Sequence, residues 1–194
     1  MARVRLLNPD QAEGRRREVF DRVKAYYKMV PGLQKALNYL PETTDALWTL
    51  SLSTAREGSI REELKRVFFA VTAYEVECEY CTAAHMIALM GKTWSHAECL
   101  DLIKGKASPR LTDKENAAVD FVRVVGRRPA AVTDEMTDKL RNHGWTDAEI
   151  VEIVAAVALM RYTSTVASAL DVPLEKAMEG VGVSCGVPLN RLES

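Results

Sequence analysis

The sequence predicts an all-α fold, and three observations carry this prediction. Apolar residues recur at helical spacing through most of the chain, as in 64–71 and 150–160. Proline and glycine fall between these periodic segments, where helices break. No run of strand length alternates between apolar and polar residues beside a hairpin signal. We therefore expect a helical bundle with one core.

Four capping boxes mark predicted helix starts. In each, a Ser or Thr is followed three residues later by Glu, so that hydroxyl and carboxylate can satisfy free amides of the first turn. The boxes are Ser59–Glu62, Ser95–Glu98, Thr112–Glu115 and Thr146–Glu149. Glycines that suit a left-handed helix stop follow helical stretches at 91, 105, 126 and 144. The predicted helices span 10–29, 33–40, 43–57, 60–74, 78–90, 96–104, 113–125, 134–143 and 147 to about 170, with a short helix after Pro173.

The chain is predicted to form a single domain over 1–194. Its parts are N-terminal helices in 10–57, a Cys-x-x-Cys unit in 59–105 and a second unit without that motif in 112–175. A faint repeat aligns 67–73 with 153–159. In that register Cys78 matches Ser164, and Glu152 lies opposite Arg66. The second unit would then keep the packing and lack the thiols.

Composition excludes several classes of partner. Hydrophobic residues make up 47% of the chain, which is enough for a sizeable core. With 26 basic and 27 acidic residues the net charge is −1, so no field attracts nucleic acid or an anionic membrane. The apolar run 153–160 is far shorter than the roughly 20 residues of a membrane span. We expect a cytoplasmic protein, in which thiols are kept reduced.

The most reactive groups in the sequence are Cys78, Cys81 and His85. On a helix these three residues share one face within about 60°. If Cys78 begins that helix, the positive end of its dipole favours a thiolate. We interpret Cys81 as the attacking thiol, Cys78 as the resolving thiol and His85 as the base that activates Cys81. Acidic neighbours at 75, 77 and 79 oppose a thiolate, although one of them could instead orient the imidazole.

Other uses of the cysteines fit the sequence less well. A structural zinc site needs four ligands, and no second Cys/His pair lies at ligand spacing. Haem attachment needs His directly after the second Cys, where Thr82 stands. A thioredoxin fold needs βαβ context, which is missing. We therefore expect no metal and no cofactor, and we interpret Cys99 and Cys185 as small buried apolar residues.

The motif resembles that of a known family. The run Cys78-Glu-Tyr-Cys81-Thr-Ala-Ala-His85, after the apolar helix 67–73, is similar to the AhpD-like alkylhydroperoxidases of the carboxymuconolactone decarboxylase superfamily. This group includes many proteins described only as peroxidase-related. The segments 19–33, 111–115, 144–150 and 169–173 also resemble its members, so the resemblance covers roughly residues 10 to 175.

The resemblance implies an all-helical fold with a duplicated unit, assembled as a homo-oligomer, commonly a trimer or hexamer. It implies that Cys81 attacks a hydroperoxide, that Cys78 closes a disulfide, and that an external dithiol reductant reopens it. His85 would belong to the proton relay. The family often places a relay Glu twelve residues before the first motif Cys, where this chain has Arg66. Glu75, Glu77 and Glu152 are the candidate replacements, and Tyr80 also departs from members with His there.

Three functions follow as hypotheses. The first is a thiol-dependent peroxidase or disulfide oxidoreductase. The second is a lyase of the carboxymuconolactone decarboxylase type, which would need a cationic clamp and no thiol pair. The third is a redox-sensing oligomer in which the disulfide switches packing without turnover.

Overall fold

The computed structural model describes residues 2–184, and the described residues form ten α-helices and no strand. Short 3-10 turns lie at Pro9–Gln11 and Pro129–Ala131. The predicted all-α class is confirmed. The helices are α1 Gly14–Tyr27, α2 Gly32–Leu37, α3 Pro41–Arg56, α4 Glu62–Glu75, α5 Glu79–Met90, α6 His96–Ile103, α7 Asp113–Arg127, α8 Asp134–Asn142, α9 Asp147–Ala169 and α10 Glu179–Ser184. Cys185, predicted to be buried, lies outside the described residues.

Three of the four predicted capping boxes are present. Ser95, Thr112 and Thr146 each accept a hydrogen bond from the third residue of the following helix, and each Glu reaches back to the cap. The fourth prediction is wrong, because α4 begins at Glu62 after Arg61. The Ser59 N–H and hydroxyl instead donate to Glu152, at 2.9 and 3.0 Å. This long-range carboxylate replaces the local cap.

Two of the four glycine predictions are confirmed. Gly105 and Gly144 have φ values of 99° and 83°, in the left-handed region where glycine is favoured. Gly91 has a φ of −64°, so it continues a right-handed turn. Gly126 lies inside α7, where an added Cβ would come within 3.4 Å of Glu75. At that position glycine serves close packing of α7 on α4.

Helix α9 is the long central helix of the bundle. It is the one helix of the described chain that is long and apolar enough to cross a membrane by length and composition alone. Of its most apolar window, 44% is buried, and Ile153, Ala156 and Val157 are fully enclosed. The buried residues of α9 pack against α4, α5 and α7 in the core.

The core has two parts that meet along α4. The larger part holds Phe68, Met86 and Val122 among others, and it fixes α4 against α6, α7 and α9. The smaller part lies between α2, α3, α5 and α9, and it contains Cys78, Tyr80 and Cys81. The cysteine motif is therefore held in the interior, where its surroundings are set by packing.

Candidate active site

The main chain places both motif cysteines at the start of α5. Helix α4 ends at Glu75, and Glu77 then takes a left-handed φ of 56°, which turns the chain back. Cys78 becomes the N-cap residue of α5, and its sulfur accepts a hydrogen bond from the Cys81 N–H at 3.4 Å. Both sulfurs thus lie at the helix end where the dipole stabilises negative charge.

The two cysteines differ in access. Both are free thiols, with 1% of Cys78 and 3% of Cys81 exposed. Cys81 and His85 line a cavity of about 400 Å³. Cys78 is absent from the lining found in the described part of the chain. A small molecule in the cavity therefore meets Cys81 first, with Cys78 behind it.

The same pair differs in acidity. The Cys81 thiol donates a hydrogen bond to Cys78 and so lowers the pKa of Cys78 to about 6, although burial opposes this. That hydrogen bond raises the pKa of Cys81 well above its ordinary value, and burial raises it further. At neutral pH the pair therefore carries one negative charge, held mainly at the deeper sulfur.

Hydroxyl groups of α9 surround the two sulfurs, and sequence reasoning did not assign them. Ser168 and Ser164 lower the pKa of Cys78, while Ser164 and Thr163 act in the same direction on Cys81. The Ser164 hydroxyl is buried, and it makes no hydrogen bond with a nitrogen or oxygen atom of residues 2–184. The alignment of Cys78 with Ser164 in the faint repeat was the available signal.

His85 is half-buried in the cavity wall, with its ring 5.1 Å from the Phe69 ring. Its Nδ1 atom is enclosed and has no hydrogen-bond partner among the described residues. Burial lowers the pKa of His85 to about 3, and the nearby charge of Arg66 acts in the same direction. The imidazole is therefore neutral at neutral pH. It can accept a hydrogen bond, but it is a weak base.

The cavity is largely aromatic and aliphatic. Tyr26 and Trp48 pack edge to face, with ring centroids 5.4 Å apart, and Tyr26 packs on Tyr27 at 4.9 Å. Aliphatic residues complete the wall, among them Leu33, Leu52, Ile87, Leu159 and Met160. Such a lining favours a compact apolar or aromatic ligand.

Arg66 stands in this apolar wall, at the position where the resemblance led us to expect a carboxylate. Its Nε donates to Glu62 at 3.1 Å, and its guanidinium also interacts with the Tyr26 hydroxyl. The structure thus puts a cation, rather than a relay carboxylate, beside His85.

Glu175 is a cavity residue that sequence reasoning missed. Its Oε1 accepts from the Tyr80 hydroxyl at 2.8 Å and from the Gly32 N–H at 2.7 Å. Its Oε2 is buried without a partner in the described chain. Nothing in the sequence pairs residue 175 with the motif, because only the return of the chain after α9 brings them together.

The three carboxylates considered from the sequence lie elsewhere. Glu75 is 2% exposed and pairs with Arg123 at 2.8 Å and with Arg127. Glu152 pairs with Lys65 at 3.2 Å, so its carboxylate is engaged by another cation. Glu77 is exposed at the turn before α5. These three are absent from the cavity lining of residues 2–184, where Glu175 is present. Residues 2–184 also contain no group of three or more Cys, His, Asp and Glu placed to hold a metal ion.

Comparison with known proteins identifies the fold. A scan against protein-family models found none that matches this chain. The uncharacterized protein YnjA of Escherichia coli K12 is 24% identical over 98 residues, which are 50% of this chain and 53% of that protein. The match therefore spans about half the length of this curated relative.

Solved structures match over nearly the whole chain. An uncharacterized peroxidase-related protein from Ralstonia eutropha JMP134, described as an alkylhydroperoxidase AhpD core, superposes with a TM-score of 0.81 at 18% identity, over 93% of this chain and 96% of that one. A peroxidase-related protein from Silicibacter sp. TM1040 gives 0.77 at 22% identity, over 92% and 94%. A cysteine-to-alanine variant of the debrominase Bmp8, in complex with 2,3,4-tribromopyrrole, gives 0.78 at 18% identity, over 93% and 95%. The chain has the AhpD-like fold, as the sequence resemblance implied.

Proposed function

We propose that this protein is a thiol-dependent peroxidase that reduces hydroperoxides through Cys81 and Cys78. The observation that carries the proposal is that the two cysteines differ in access to the cavity and in thiol pKa. Cys81 faces an apolar cavity, while Cys78 lies behind it with its pKa lowered to about 6. The AhpD-like fold, shared with peroxidase-related proteins, supports the same assignment.

The proposed reaction begins with transfer of the Cys81 proton to the Cys78 thiolate, along their hydrogen bond. The Cys81 thiolate then attacks the terminal oxygen of ROOH, the O–O bond breaks, and Cys81 becomes a sulfenic acid. The Cys78 thiol gives its proton to the leaving alkoxide, which becomes ROH, and Cys78 is again a thiolate. This thiolate attacks the sulfenic sulfur, the disulfide forms, and the departing hydroxide takes a proton from solvent to become water. An external dithiol reduces that disulfide and becomes oxidised itself.

His85 is proposed to assist the proton steps. Because its pKa is about 3, the neutral ring accepts a hydrogen bond from the Cys81 thiol or from the hydroperoxide, without holding the proton for long. The activation of Cys81 is thereby shared between the imidazole and the Cys78 thiolate. The role of His85 stays a prediction.

The test is hydroperoxide consumption with several dithiol donors, run on wild type, Cys81→Ser and Cys78→Ser. We expect Cys81→Ser to abolish consumption and Cys78→Ser to stop after one turnover. Cys99→Ser is the matched control, because Cys99 is a buried cysteine in the other part of the core. Retained consumption in Cys81→Ser would refute the proposal. A single stoichiometric oxidation with every donor, accompanied by a change in oligomer size, would favour the redox-sensing alternative.

A second candidate is reductive dehalogenation of a small aromatic ring. The observations that favour it are the debrominase among the fold neighbours and the aromatic lining of the cavity. The thiol pair would supply two electrons, so that a carbon–bromine bond becomes a carbon–hydrogen bond, bromide and a proton are released, and the disulfide forms. Bromide release from a brominated pyrrole, dependent on both cysteines, is the measurement that supports this candidate.

We also propose that the protein assembles as a homo-oligomer in the cytoplasm. Support comes from α9, where an apolar stripe remains exposed in the single chain. Val151 is 67% exposed, Val154 39% and Tyr162 43%. A stripe of this kind is typical of a surface that another protein covers. Light scattering after size exclusion tests the assembly, and a monomer at micromolar concentration would contradict it.

A further inference from the structure

Arg66 is the one positively charged residue in the cavity lining of residues 2–184. Its side chain is only 18% exposed, and Tyr26, Trp48 and Phe69 belong to the same wall. In such a poorly solvated wall, a guanidinium attracts an anion more strongly than it would at an open surface. The cavity therefore combines an apolar volume with one cation, Arg66, and one carboxylate, Glu175, among its described lining residues.

The ion pair between Arg66 and Glu62 leaves the guanidinium largely available to a ligand in the cavity. Its Nε and Nη2 atoms both donate to the same oxygen of Glu62. The Glu62 side chain is 39% exposed, and a solvated pair of this kind contributes little. The charges of Lys92 and Arg56, like that of Arg66, lower the pKa of Glu62, so three cations act on one carboxylate. Around Glu62 the cations therefore outnumber the carboxylate.

The other polar atoms of the cavity give a bound anion a direction. Gln34 Oε1 and Glu175 Oε2 are buried acceptors without partners in the described chain, on the wall formed by α2 and the segment after α9. Acceptors repel an anion and attract a hydrogen-bond donor. A ligand with one anionic end is therefore favoured with that end at Arg66.

We propose that Arg66 makes this cavity selective for compact amphipathic substrates that carry one carboxylate, with an apolar or aromatic body between the carboxylate and the reacting group. A volume of about 400 Å³ suits a single ring with short substituents. The carboxylate pairs with the guanidinium, and the reacting group then faces Cys81 and His85. That the reacting group is a hydroperoxide rests on the proposed function, whereas the anion site itself does not.

The test compares two unreactive ligands with the same body, 4-isopropylbenzoate and N-methyl-4-isopropylbenzamide, by isothermal titration on the reduced protein. We expect wild type to bind the carboxylate about 10- to 100-fold more tightly, the range of a charge-assisted hydrogen bond in a poorly solvated site. Arg66→Gln should remove this preference. Equal binding of both ligands to wild type, or an unchanged preference in Arg66→Gln, would overturn the proposal.

Two further variants serve as a charge-matched control and as an independent test. Arg56→Gln removes the same charge from an exposed side chain that stacks on Tyr26 at 5.0 Å outside the lining, and it should keep most of the preference. Glu62→Gln removes the competing carboxylate and should raise carboxylate affinity several-fold. Lower or unchanged affinity in Glu62→Gln contradicts the anion site, even if Arg66→Gln does not fold.

A turnover arm separates this proposal from the peroxidase assignment. Cumene hydroperoxide is compared with its ring-carboxylated form, and we expect kcat/KM to be about tenfold or more in favour of the carboxylate in wild type but not in Arg66→Gln. A carboxylate preference in binding, with neither hydroperoxide consumed, supports the anion site and removes the peroxidase proposal. Consumption of both hydroperoxides at equal kcat/KM, with equal binding, removes the anion site and leaves the peroxidase proposal in place.

Discussion

Helix α4 borders two regions that differ in how their charged and polar groups are used. Away from the cavity, Lys65 pairs with Glu152, and Glu75 pairs with Arg123 and Arg127. In the cavity region, His85 Nδ1, Gln34 Oε1 and Glu175 Oε2 lack partners in the described chain. The first region uses buried ion pairs to hold the fold, whereas the second keeps unpaired polar atoms in a cavity wall, where a ligand can meet them. Substitutions in the two regions should therefore separate stability from activity.

The largest expected effect is on stability, from Glu152→Ala. This change leaves the Lys65 ammonium, which is 1% exposed, without its carboxylate, and it removes hydrogen bonds to Ser59 and Ile60. We expect the free energy of unfolding to fall by about 3 kcal/mol, measured by urea denaturation. Activity per folded molecule should not change.

The matched control is Glu62→Gln, which breaks the half-exposed pair with Arg66 and should cost less than about 1 kcal/mol. Equal losses of stability in the two variants would show that the ion pairs of the first region do not stabilise the fold more than the Arg66–Glu62 pair does.

The second effect is on activity, from His85→Asn. Removing the neutral imidazole should lower kcat/KM for a hydroperoxide about 100-fold, at the low end for acid–base groups. Unfolding free energy should change little, because His85 Nδ1 has no partner in the described chain to lose. Since the pKa of His85 is about 3, the wild-type rate should show no step from this residue between pH 5 and 8. A step near pH 6.5 that disappears in His85→Asn would contradict this account.

The third effect is a pH dependence of the reduced cysteine pair. The folded pKa of Cys78 is lowered to about 6, below its unfolded value, so the ionised thiolate stabilises the fold. This contribution is fully present above the unfolded pKa of about 8.5 and is lost as pH falls through about 6. Thermal denaturation of the reduced protein should therefore show stability rising with pH across that window.

Thiolate absorbance near 240 nm gives the matching readout. It should rise by one thiolate around pH 6 in wild type and at higher pH in Cys81→Ala, which lacks the donor to Cys78. An unchanged titration in Cys81→Ala would show that this hydrogen bond is not the cause.

The smallest effect is expected from Tyr80→Phe. The hydroxyl donates to Glu175 and accepts weakly from the Leu33 N–H at 3.4 Å, so its loss should cost about 1 kcal/mol. Urea denaturation measures this cost. A loss as large as that of Glu152→Ala would place Tyr80 and Glu175 with the stabilising region instead.

Local signals predicted much of the helix pattern, and their failures have local reasons. Three capping boxes and the helix carrying the motif are where the sequence placed them. The first helix begins at Gly14 rather than at residue 10, because the segment from Pro9 forms a 3-10 turn before it. Ser59 failed as a cap since Glu152, more than 90 residues away, takes its hydrogen bonds. A local sequence pattern cannot predict a hydrogen-bond partner so distant in the sequence.

The site was predicted in its parts but not in its surroundings. Sequence spacing brought Cys78, Cys81 and His85 together, and it marked Arg66 as unusual. The hydroxyls of α9 and the carboxylate of Glu175 reach the site through tertiary packing, which no spacing reveals. The hydrogen bond between the two cysteines, the α9 hydroxyls and the N-cap amide of Cys81 place the charge mainly on Cys78. The sequence alone suggested a thiolate at either position.

The most direct test of the account asks which sulfur meets the hydroperoxide. Reduced Cys78→Ser and Cys81→Ser are treated with one equivalent of cumene hydroperoxide in the presence of dimedone, and the adducts are located by mass spectrometry. We expect a dimedone adduct on Cys81 in Cys78→Ser and none on Cys78 in Cys81→Ser. An adduct on Cys78 in Cys81→Ser, with none on Cys81 in Cys78→Ser, would contradict it.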